Sequence, residues 1–306
     1  MKPLVIALPG NDALAIDLAA GIGGECGELE LRQFPDGETY VRVLDAVLDR
    51  DVIIAATLHE PDRVVMSLYL LASTLRELGA ARIVLVAPYL AYMRQDKPFH
   101  SGEGTTARHF ARWLSSFLDA LITIDPHLHR IHKLTEVYSV PAVTIAAAPA
   151  ISRWLREHIP DAVLVGPDAE SEQWVRQVAE DAGCPYTVLQ KTRRGDRDVS
   201  VTPLHLESYQ GHTPVLLDDI MSTGRTMAAA AKQLEGQGLK PPVGVGVHAI
   251  LAADADTALR EAGIARIISC NTIPHATNGI DVYPLIIPVL ADMLRTLRET
   301  TTRAMP

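Results

Sequence analysis

Residues 213–226 read TPVLLDDIMSTGRT and contain the most informative pattern in the sequence. The apolar run at 215–217 has no polar break, which is typical of a strand covered on both faces. Two carboxylates, Asp218 and Asp219, end that run, and an alanine-rich helical segment at 228–234 follows the intervening loop. The pattern predicts a buried strand, an acidic pair, a short loop and the start of a helix.

The loop contains Ser222, Thr223, Gly224, Arg225 and Thr226. The first N–H groups of a helix have no intrahelical acceptor and carry partial positive charge, so they can bind a phosphate group. The glycine allows close backbone approach, and the hydroxyl groups are further donors. Serine and threonine also cap ordinary helices, but a cap alone needs no pair of carboxylates at the strand end.

The acidic pair refines this interpretation. Carboxylates repel a phosphate group but accept hydrogen bonds from neutral hydroxyl groups one sugar ring away. Phosphate donors on one side and hydroxyl acceptors on the other describe a site for a pentose 5-phosphate. No GxxxxGK[ST] loop of the Walker type occurs in the sequence.

Composition limits the class of protein. A chain of 306 residues is long enough for two domains, and 48% hydrophobic residues with a mean hydropathy of +0.12 indicate globular material. The net charge of −9 and the pI of about 5.6 leave no basic face for nucleic acid. We therefore expect small-molecule partners rather than nucleic acid.

The cysteines and the N-terminus indicate the compartment. Cys26, Cys184 and Cys270 are isolated and odd in number, so the sequence predicts no disulfide framework and a reducing cytoplasm. The apolar run after Lys2 is cut by Pro9 too early for a secretory signal. No stretch approaches the roughly 20 apolar residues that span a bilayer, so no membrane partner is expected.

Apolar runs and helical patterns alternate along the chain. Predicted strands lie at 4–8, 52–56, 83–87, 121–124, 163–166, 215–217, 243–250 and 267–269. Helical spacing is present in two series, Leu68, Leu71, Leu75 and Leu78, and Ala107, Phe110, Leu114 and Phe117. This alternation predicts an α/β fold with parallel sheets flanked by helices, and ligands at the carboxyl ends of the strands.

The same plan occurs twice. One α/β unit is predicted over 1–146 and a second over 147–285, with only Pro141 and Pro149 marking the boundary. The C-terminal segment 286–306 has a helical pattern from about residue 288 to residue 300 and is expected to pack back on the first unit.

An aromatic and acidic stretch contains Phe34, Asp36 and Glu38. The ring offers a stacking surface, and the carboxylates can accept hydrogen bonds from an exocyclic amine. A Pro-Asp-Gly sequence between extended segments is also ordinary turn chemistry. On spacing alone, a hairpin turn is the favoured interpretation.

A charged loop with Arg94, Gln95 and Asp96 follows the predicted strand at 83–87. It places a guanidinium group, with the ammonium group of Lys97, at the carboxyl end of a strand, where a polyphosphate can bind. A solvated charged loop explains the same residues equally well.

Candidate metal ligands are His127, after the strand at 121–124, and Asp168, after the strand at 163–166. One histidine aided by a distant carboxylate suits a divalent cation held mainly through nucleotide phosphates and water. HxH spacing without a nearby cysteine is not a structural zinc pattern. His129 and His132 are interpreted as exposed polar residues of a helix.

Four cations occur between residues 191 and 197, around Gly195. A loop carrying Lys191 and Arg193 could close over a phosphoryl group, exclude water and donate hydrogen bonds as charge develops. The alternative is a solvated hairpin between two strands, which is the usual meaning of a charged run.

In this order, the segments resemble the ribose-phosphate diphosphokinase (phosphoribosyl pyrophosphate synthase) family. The similar motifs are FPDGE, PYxxYxRQD, ITIDPH, GPD, KxR, DDIxSTGxT and NTIP, and they span essentially the whole chain. The resemblance implies two type I phosphoribosyltransferase-like domains. It also implies transfer of the β,γ-diphosphoryl group of ATP to O1 of ribose 5-phosphate, giving 5-phosphoribosyl 1-diphosphate and AMP.

The resemblance also implies a role for each candidate residue, and a homo-oligomer whose adenine site is shared between subunits. Adenine would be held by Phe34, Asp36 and Glu38 of a neighbouring subunit, and ATP by Arg94, Gln95 and Asp96. Mg²⁺ would be bound by His127 and Asp168, and the transferring group stabilised by Lys191 and Arg193. Ribose hydroxyls would be bound by Asp218 and Asp219, and the 5-phosphate by Ser222, Thr223, Gly224, Arg225 and Thr226.

Two positions and one segment depart from the family pattern. Many members have aspartate where this chain has Ser222, and small residues are common where it has Arg225. The segment Gly102-Glu103-Gly104 stands where the allosterically regulated branch has Arg-Glu-Pro, so the resemblance does not extend to phosphate activation and ADP inhibition.

Two other functional classes share parts of this pattern. A phosphoribosyltransferase would share residues 218–226 but does not need the FPDGE motif or the loop at 94–96. A catalytically silent regulatory subunit would share the fold while losing site residues. Retention of His127, Asp168, Lys191 and Arg193 argues against a silent subunit.

Overall fold

The computed structural model describes residues 1–128, 130–167, 171–194, 198–202, 206–235 and 237–304. It divides the chain into two compact units, one of Met1–Ile145 with Tyr283–Pro306 and one of Ala146–Val282. The expected bounds at 146 and 285 differ from these by one and three residues.

The first unit is built on a parallel sheet. Its elements are β1 (Leu4–Ala7), α1 (Asp12–Ile22), β2 (Glu25–Cys26), β3 (Leu29–Gln33), β4 (Thr39–Val43), β5 (Asp51–Ala55), α2 (Pro61–Glu77), β6 (Arg82–Ala87), α3 (Thr106–Ser115), β7 (Ala120–Ile124) and β8 (Ala142–Ile145). The strand order is β2-β1-β5-β6-β7-β8, and β3 and β4 form a separate antiparallel hairpin. Buried apolar residues of the central strands, α2 and α3 form one core.

The second unit repeats the plan. Its elements are α4 (Ala148–His158), β9 (Ala162–Gly166), α5 (Glu172–Ala182), β10 (Tyr186–Val188), β11 (Gln190–Arg194), β12 (Asp198–Thr202), β13 (Thr213–Met221), α6 (Arg225–Leu234), β14 (Val243–Ala249), α7 (Ala255–Glu261), β15 (Arg266–Cys270) and β16 (Asn278–Ile280). The parallel sheet has the order β10-β9-β13-β14-β15-β16, and β11 and β12 form an antiparallel hairpin. The predicted α/β class with mainly parallel sheets is confirmed.

All eight predicted strands are present, as β1, β5, β6, β7, β9, β13, β14 and β15. The predictions missed β2, β8, β10 and β16, which lie at sheet edges and are two to four residues long. An edge strand pairs on one side only and needs no continuous apolar run, so its sequence signal is weak.

The last helix, α8 (Tyr283–Ala304), begins five residues before the predicted start near residue 288 and contains Pro288 in its interior. Within the first unit, α8 packs against α1. The contact is close, since a Cβ added to Gly21 of α1 would lie 2.6 Å from the Cδ1 atom of Ile287 on α8. The Arg298 Nε donates to buried Asp51 Oδ2 at 2.6 Å. These contacts outweigh the cost of a proline inside the helix, so the helix starts earlier than predicted.

Within the ranges given above, no helix combines the length and the apolar character needed to cross a lipid bilayer.

Candidate functional site

The acidic pair lies inside a strand rather than after it. β13 extends to Met221, and Asp218 pairs in register with Gly246 of β14. The prediction that the strand ends at 217 is therefore wrong, because backbone pairing with β14 continues beneath the polar side chains. Asp218 and Asp219 are partly exposed, at the carboxyl end of the central strand. Ligands bind at this edge of parallel sheets.

The loop after β13 leads directly into α6, which begins at Arg225, three residues before the expected alanine-rich segment. Gly224 has φ 70° and precedes the helix, and its carbonyl accepts the Ala228 N–H at 2.8 Å. Among the described residues, no side chain caps α6. The glycine before the helix offers no side-chain acceptor to the first N–H groups, which suits an anion site at a helix N-terminus.

The side chains around this helix start face solvent. Thr223, Arg225 and Thr226 are exposed, and Ser222 is partly exposed. The backbone beneath them is held by the segment after β14, since the Ile250 and Ala252 N–H groups donate to the Met221 and Ser222 carbonyls at 2.9 and 3.0 Å. The structure thus places hydroxyl and N–H donors on a supported backbone, and their binding of a phosphate group stays a prediction.

The charged loop of the first unit is built around one buried carboxylate. Asp96 is 7% exposed and accepts the Arg130 backbone N–H at 2.7 Å and the Arg130 guanidinium at 3.2 Å. Arg94 remains exposed and Gln95 partly exposed. The fully solvated interpretation of this loop is therefore wrong for Asp96, whose charge ties the loop to the segment after β7.

Gln95 is held by Glu103. The Gln95 amide donates to Glu103 at 3.4 Å, and the same carboxylate accepts the Phe99 N–H at 2.6 Å. His100, 2.9 Å from Glu103, together with the Phe99 N–H, lowers the pKa of Glu103 below its ordinary value. Glu103 belongs to the segment 102–104, which differs from the regulated branch of the family. Its carboxylate therefore links Gln95, Phe99 and His100 within one loop.

Tyr92 of this loop has a positive φ of 60° and donates its hydroxyl hydrogen to Asp62 of α2. The hydrogen bond, burial and the negative charge of Asp62 raise the pKa of Tyr92. The ring packs on Phe110 with centroids 4.7 Å apart. Sequence reasoning missed Asp62 and Arg130 because partners 30 and 34 residues away leave no local pattern.

The stretch with Phe34, Asp36 and Glu38 forms the turn between β3 and β4, so the hairpin interpretation is confirmed. Asp36 accepts the Glu38 N–H at 3.2 Å, and Gly37 has φ 92°. Phe34 is 41% exposed and packs edge-on against Tyr40. A groove of about 910 Å³, lined in part by Glu38, lies between this hairpin and α2.

The candidate metal ligands are only partly described. His127 is partly exposed and follows Asp125, which has φ 33° and donates its N–H to Ile145 O at 3.0 Å. Asp168 and His129 lie outside the described residues. Among the residues that the structure does describe, no three His, Cys, Asp or Glu side chains are grouped around a metal position.

His132 is exposed but lies in a loop before the short 3-10 turn Leu134–Glu136, so its assignment to a helix is wrong. Its backbone N–H donates to Glu136 Oε1 at 3.0 Å. The backbone N–H groups of this loop donate hydrogen bonds to Glu136 instead of forming the intrahelical hydrogen bonds that the prediction assumed.

Lys191 and Arg193 lie on β11, where their Cα partners on β12 are Val201 and Val199. Residues 191–194 of the charged run therefore belong to an antiparallel pair of strands, in agreement with the hairpin of the alternative interpretation. The side chains of both residues lie outside the described part of the structure, so their predicted role stays a prediction.

Comparison with known proteins covers both units. A family model described as the N-terminal domain of ribose phosphate pyrophosphokinase matches residues 4–117, and one described as a phosphoribosyl transferase domain matches residues 133–285. A ribose-phosphate pyrophosphokinase of Methanopyrus kandleri is 33% identical over 95% of this chain and 99% of that protein. One of Halobacterium salinarum is 32% identical over 94% of this chain and 100% of that protein.

A solved structure agrees. The crystal structure of phosphoribosylpyrophosphate synthetase from Mycobacterium smegmatis has a TM-score of 0.81 to this chain at 25% sequence identity, covering 98% of this chain and 100% of that one. The resemblance inferred from the motifs is thereby confirmed over the full length. This chain belongs to the ribose-phosphate pyrophosphokinase family.

Proposed function

We propose that the protein is a ribose-phosphate diphosphokinase that transfers the β,γ-diphosphoryl group of ATP to O1 of ribose 5-phosphate. The products are 5-phosphoribosyl 1-diphosphate and AMP. The observation that carries this proposal is the end of β13, where Asp218 and Asp219 precede the uncapped start of α6 at Gly224. Membership of the pyrophosphokinase family supports ATP as the second substrate.

The sugar phosphate is held at two ends. The N–H groups at the start of α6 and the hydroxyl groups of Ser222, Thr223 and Thr226 bind the 5-phosphate. The carboxylates of Asp218 and Asp219 accept hydrogen bonds from the ribose hydroxyls, because ionised carboxylates are acceptors only. Fixing both ends of the sugar orients the C1 hydroxyl for attack.

The reaction is a displacement at the β-phosphorus of ATP. The C1 hydroxyl oxygen forms a bond to that phosphorus and loses its proton, while the bond from the β-phosphorus to the oxygen of the α-phosphate breaks and releases AMP. Lys191 and Arg193 donate hydrogen bonds to the transferring group as negative charge develops, which is the main form of catalysis in phosphoryl transfer. No covalent enzyme intermediate is required.

Mg²⁺ is the proposed cofactor, with His127 and Asp168 as its protein ligands. A partly exposed imidazole just after β7 fits a cation with few protein ligands. One histidine and one carboxylate leave most coordination positions to phosphate oxygens and water, as Mg²⁺ prefers. When bound there, Mg²⁺ would offset the negative charge of the phosphate groups.

We further propose that the protein is a homo-oligomer in which Phe34, Asp36 and Glu38 contribute to a neighbouring subunit's adenine site. The exposed ring of Phe34 in the turn between β3 and β4 supports this, since an exposed ring can stack on a group held by a second chain. Arg94 and Gln95 would contact the phosphates of the same nucleotide. None of the three cysteines forms a disulfide within the described part of the chain, which supports a reducing cytoplasmic setting.

The proposal is tested by identifying the nucleotide product. With ATP, Mg²⁺ and ribose 5-phosphate, the protein should form AMP rather than ADP. Ribose, which lacks the phosphate that α6 binds, should not replace the sugar phosphate. Removal of the metal with EDTA should abolish turnover, and Mg²⁺ should restore it. Formation of ADP, or AMP formation without the sugar phosphate, would contradict the proposal.

A further inference from the structure

A buried histidine lies beside the ribose-phosphate loop and has no part in the chemistry described above. His248 of β14 and Thr272, which follows β15, are each 1% exposed. The Thr272 hydroxyl donates its hydrogen to the Val247 carbonyl at 2.8 Å. Because a hydroxyl group has a single hydrogen, Thr272 accepts at 2.9 Å from the His248 Nδ1, which therefore carries the proton.

His248 is the second-last residue of β14, next to Ala249, which ends the strand. It pairs in register with Ile220, which directly follows the acidic pair on β13. The next residues of the chain support the loop, since the Ile250 and Ala252 N–H groups bind the Met221 and Ser222 carbonyls. Both supporting hydrogen bonds thus come from positions two and four residues after His248.

We propose that His248 is a positioning residue for the binding of ribose 5-phosphate. Its hydrogen bond to Thr272 fixes the end of β14, and the end of β14 in turn fixes the loop backbone at Met221 and Ser222. This inference rests on the proposed function of that loop. A buried imidazole held by a hydroxyl group cannot rotate without leaving polar groups unsatisfied, so the strand end has one arrangement.

The proposed contacts of ATP and of ribose 5-phosphate lie in different units, so the proposal predicts different effects on the two KM values. Arg94 and Gln95, the proposed nucleotide contacts, belong to the first unit, whereas His248 and Thr272 belong to the second. Loosening the end of β14 should therefore weaken the binding of ribose 5-phosphate more than the binding of ATP. A general loss of folding would affect both substrates.

The test begins with Thr272→Val, which removes the hydroxyl group with little change of shape. The KM for ribose 5-phosphate should rise about tenfold, with kcat within about threefold and the KM for ATP unchanged. Thr272→Ser, which keeps the hydroxyl group, should restore the KM. His248→Leu should match Thr272→Val, and the double variant should be no worse than either single variant, because both break one linkage.

Thr123→Val is the matched control. Thr123 is also 1% exposed, and within the described part of the chain its hydroxyl group has no hydrogen-bond partner. The same atoms are removed without loss of a hydrogen bond, so both KM values should stay at the wild-type level.

Three results would overturn the proposal. These are an equal rise of both KM values in Thr272→Val, a Thr272→Ser variant that behaves like valine, and a wild-type KM for ribose 5-phosphate in His248→Leu. Where variants do not fold, ¹⁵N NMR of the wild-type protein decides, because a His248 protonated at Nε2 alone contradicts the linkage. If the wild-type protein fails to turn over ATP and ribose 5-phosphate, the proposed function fails instead. Calorimetric binding of ribose 5-phosphate to the same variants then tests the positioning role separately.

Discussion

A Cβ atom placed on Gly224 would lie 2.8 Å from Leu259 Cγ, closer than side chains in folded proteins approach. Gly224 also has φ 70°, a conformation that L-residues other than glycine adopt only at a cost. The buried side chain of Leu259 therefore limits how closely the loop before α6 can pack on α7. Backbone approach, which a phosphate site at a helix start requires, depends on this one missing methyl group.

Gly224→Ala should therefore destabilise the protein and impair binding of the sugar phosphate. We expect a loss of about 3 kcal/mol in the free energy of unfolding, from overpacking and backbone strain together. Gly183→Ala is the control, because Gly183 has φ 72° but a Cβ added there would meet no described atom within 4 Å. It should cost about 1 kcal/mol and leave the KM for ribose 5-phosphate unchanged. Equal losses in urea unfolding would show that packing on Leu259 does not matter.

Asp96 and Arg130 should contribute unequally to the loop of the first unit. The side chain of Asp96 is 1% exposed, whereas that of Arg130 is 55% exposed. Arg130→Ala keeps the backbone N–H that Asp96 binds and should cost about 1 kcal/mol or less. Asp96→Ala leaves that N–H without its acceptor and should cost about 3 kcal/mol and raise the KM for ATP. Chemical unfolding with matched kinetics measures both, and a larger effect of Arg130→Ala would refute this account of the loop.

Tyr92→Phe tests the bond between the same loop and α2. Loss of the hydrogen bond to Asp62 should reduce the free energy of unfolding by about 1 kcal/mol at neutral pH. The folded-state pKa of Tyr92 is raised above the ordinary 10.0, so this stabilisation is complete below pH 10 and is lost as the pH rises through the raised pKa. The difference between the two proteins should be constant from about pH 7 to about pH 9 and shrink above pH 10. A difference that grows with pH would contradict the assignment.

Phe34→Ala and Lys191→Ala should complement each other if the adenine site is shared. Lys191→Ala should lower kcat by about 100-fold or more with modest KM changes, as expected for a lost transition-state donor. When the two variants are mixed as dimers and exchange subunits at random, about half of the dimers contain one chain of each variant. Each such dimer has one site with both Phe34 and Lys191 intact, so about a quarter of the wild-type rate should return. A mixture no more active than the mean of its parts would place both residues in one subunit's site.

The strands could be predicted from the sequence because the central strands are apolar on both faces. The lengths of the strands could not be predicted from the sequence, as β13 shows. Asp218 and Asp219 interrupt the apolar run, but backbone pairing with β14 does not depend on side-chain polarity, so the strand continues to Met221. α8 was also predicted too short, since it begins at Tyr283 and tertiary packing retains Pro288 inside the helix.

The candidate site was predictable where its residues are neighbours in the chain, as at residues 218–226. Its supports were not. Asp62 with Tyr92, Arg130 with Asp96, and Thr272 with His248 are pairs separated by 30, 34 and 24 residues. Such pairs have no periodic signal in one sequence, and only the folded chain shows that each polar group has its partner.

The most direct measurement is ³¹P NMR of a single mixture of the protein, ATP, ribose 5-phosphate and Mg²⁺. If the β,γ-diphosphoryl group is transferred whole, AMP and a new acid-labile diphosphate on C1 should appear in equal amounts, with no free pyrophosphate. The control mixture contains adenine and 5-phosphoribosyl 1-diphosphate in place of ATP and the sugar phosphate. AMP and released pyrophosphate in the control alone would identify a phosphoribosyltransferase and contradict the proposed reaction.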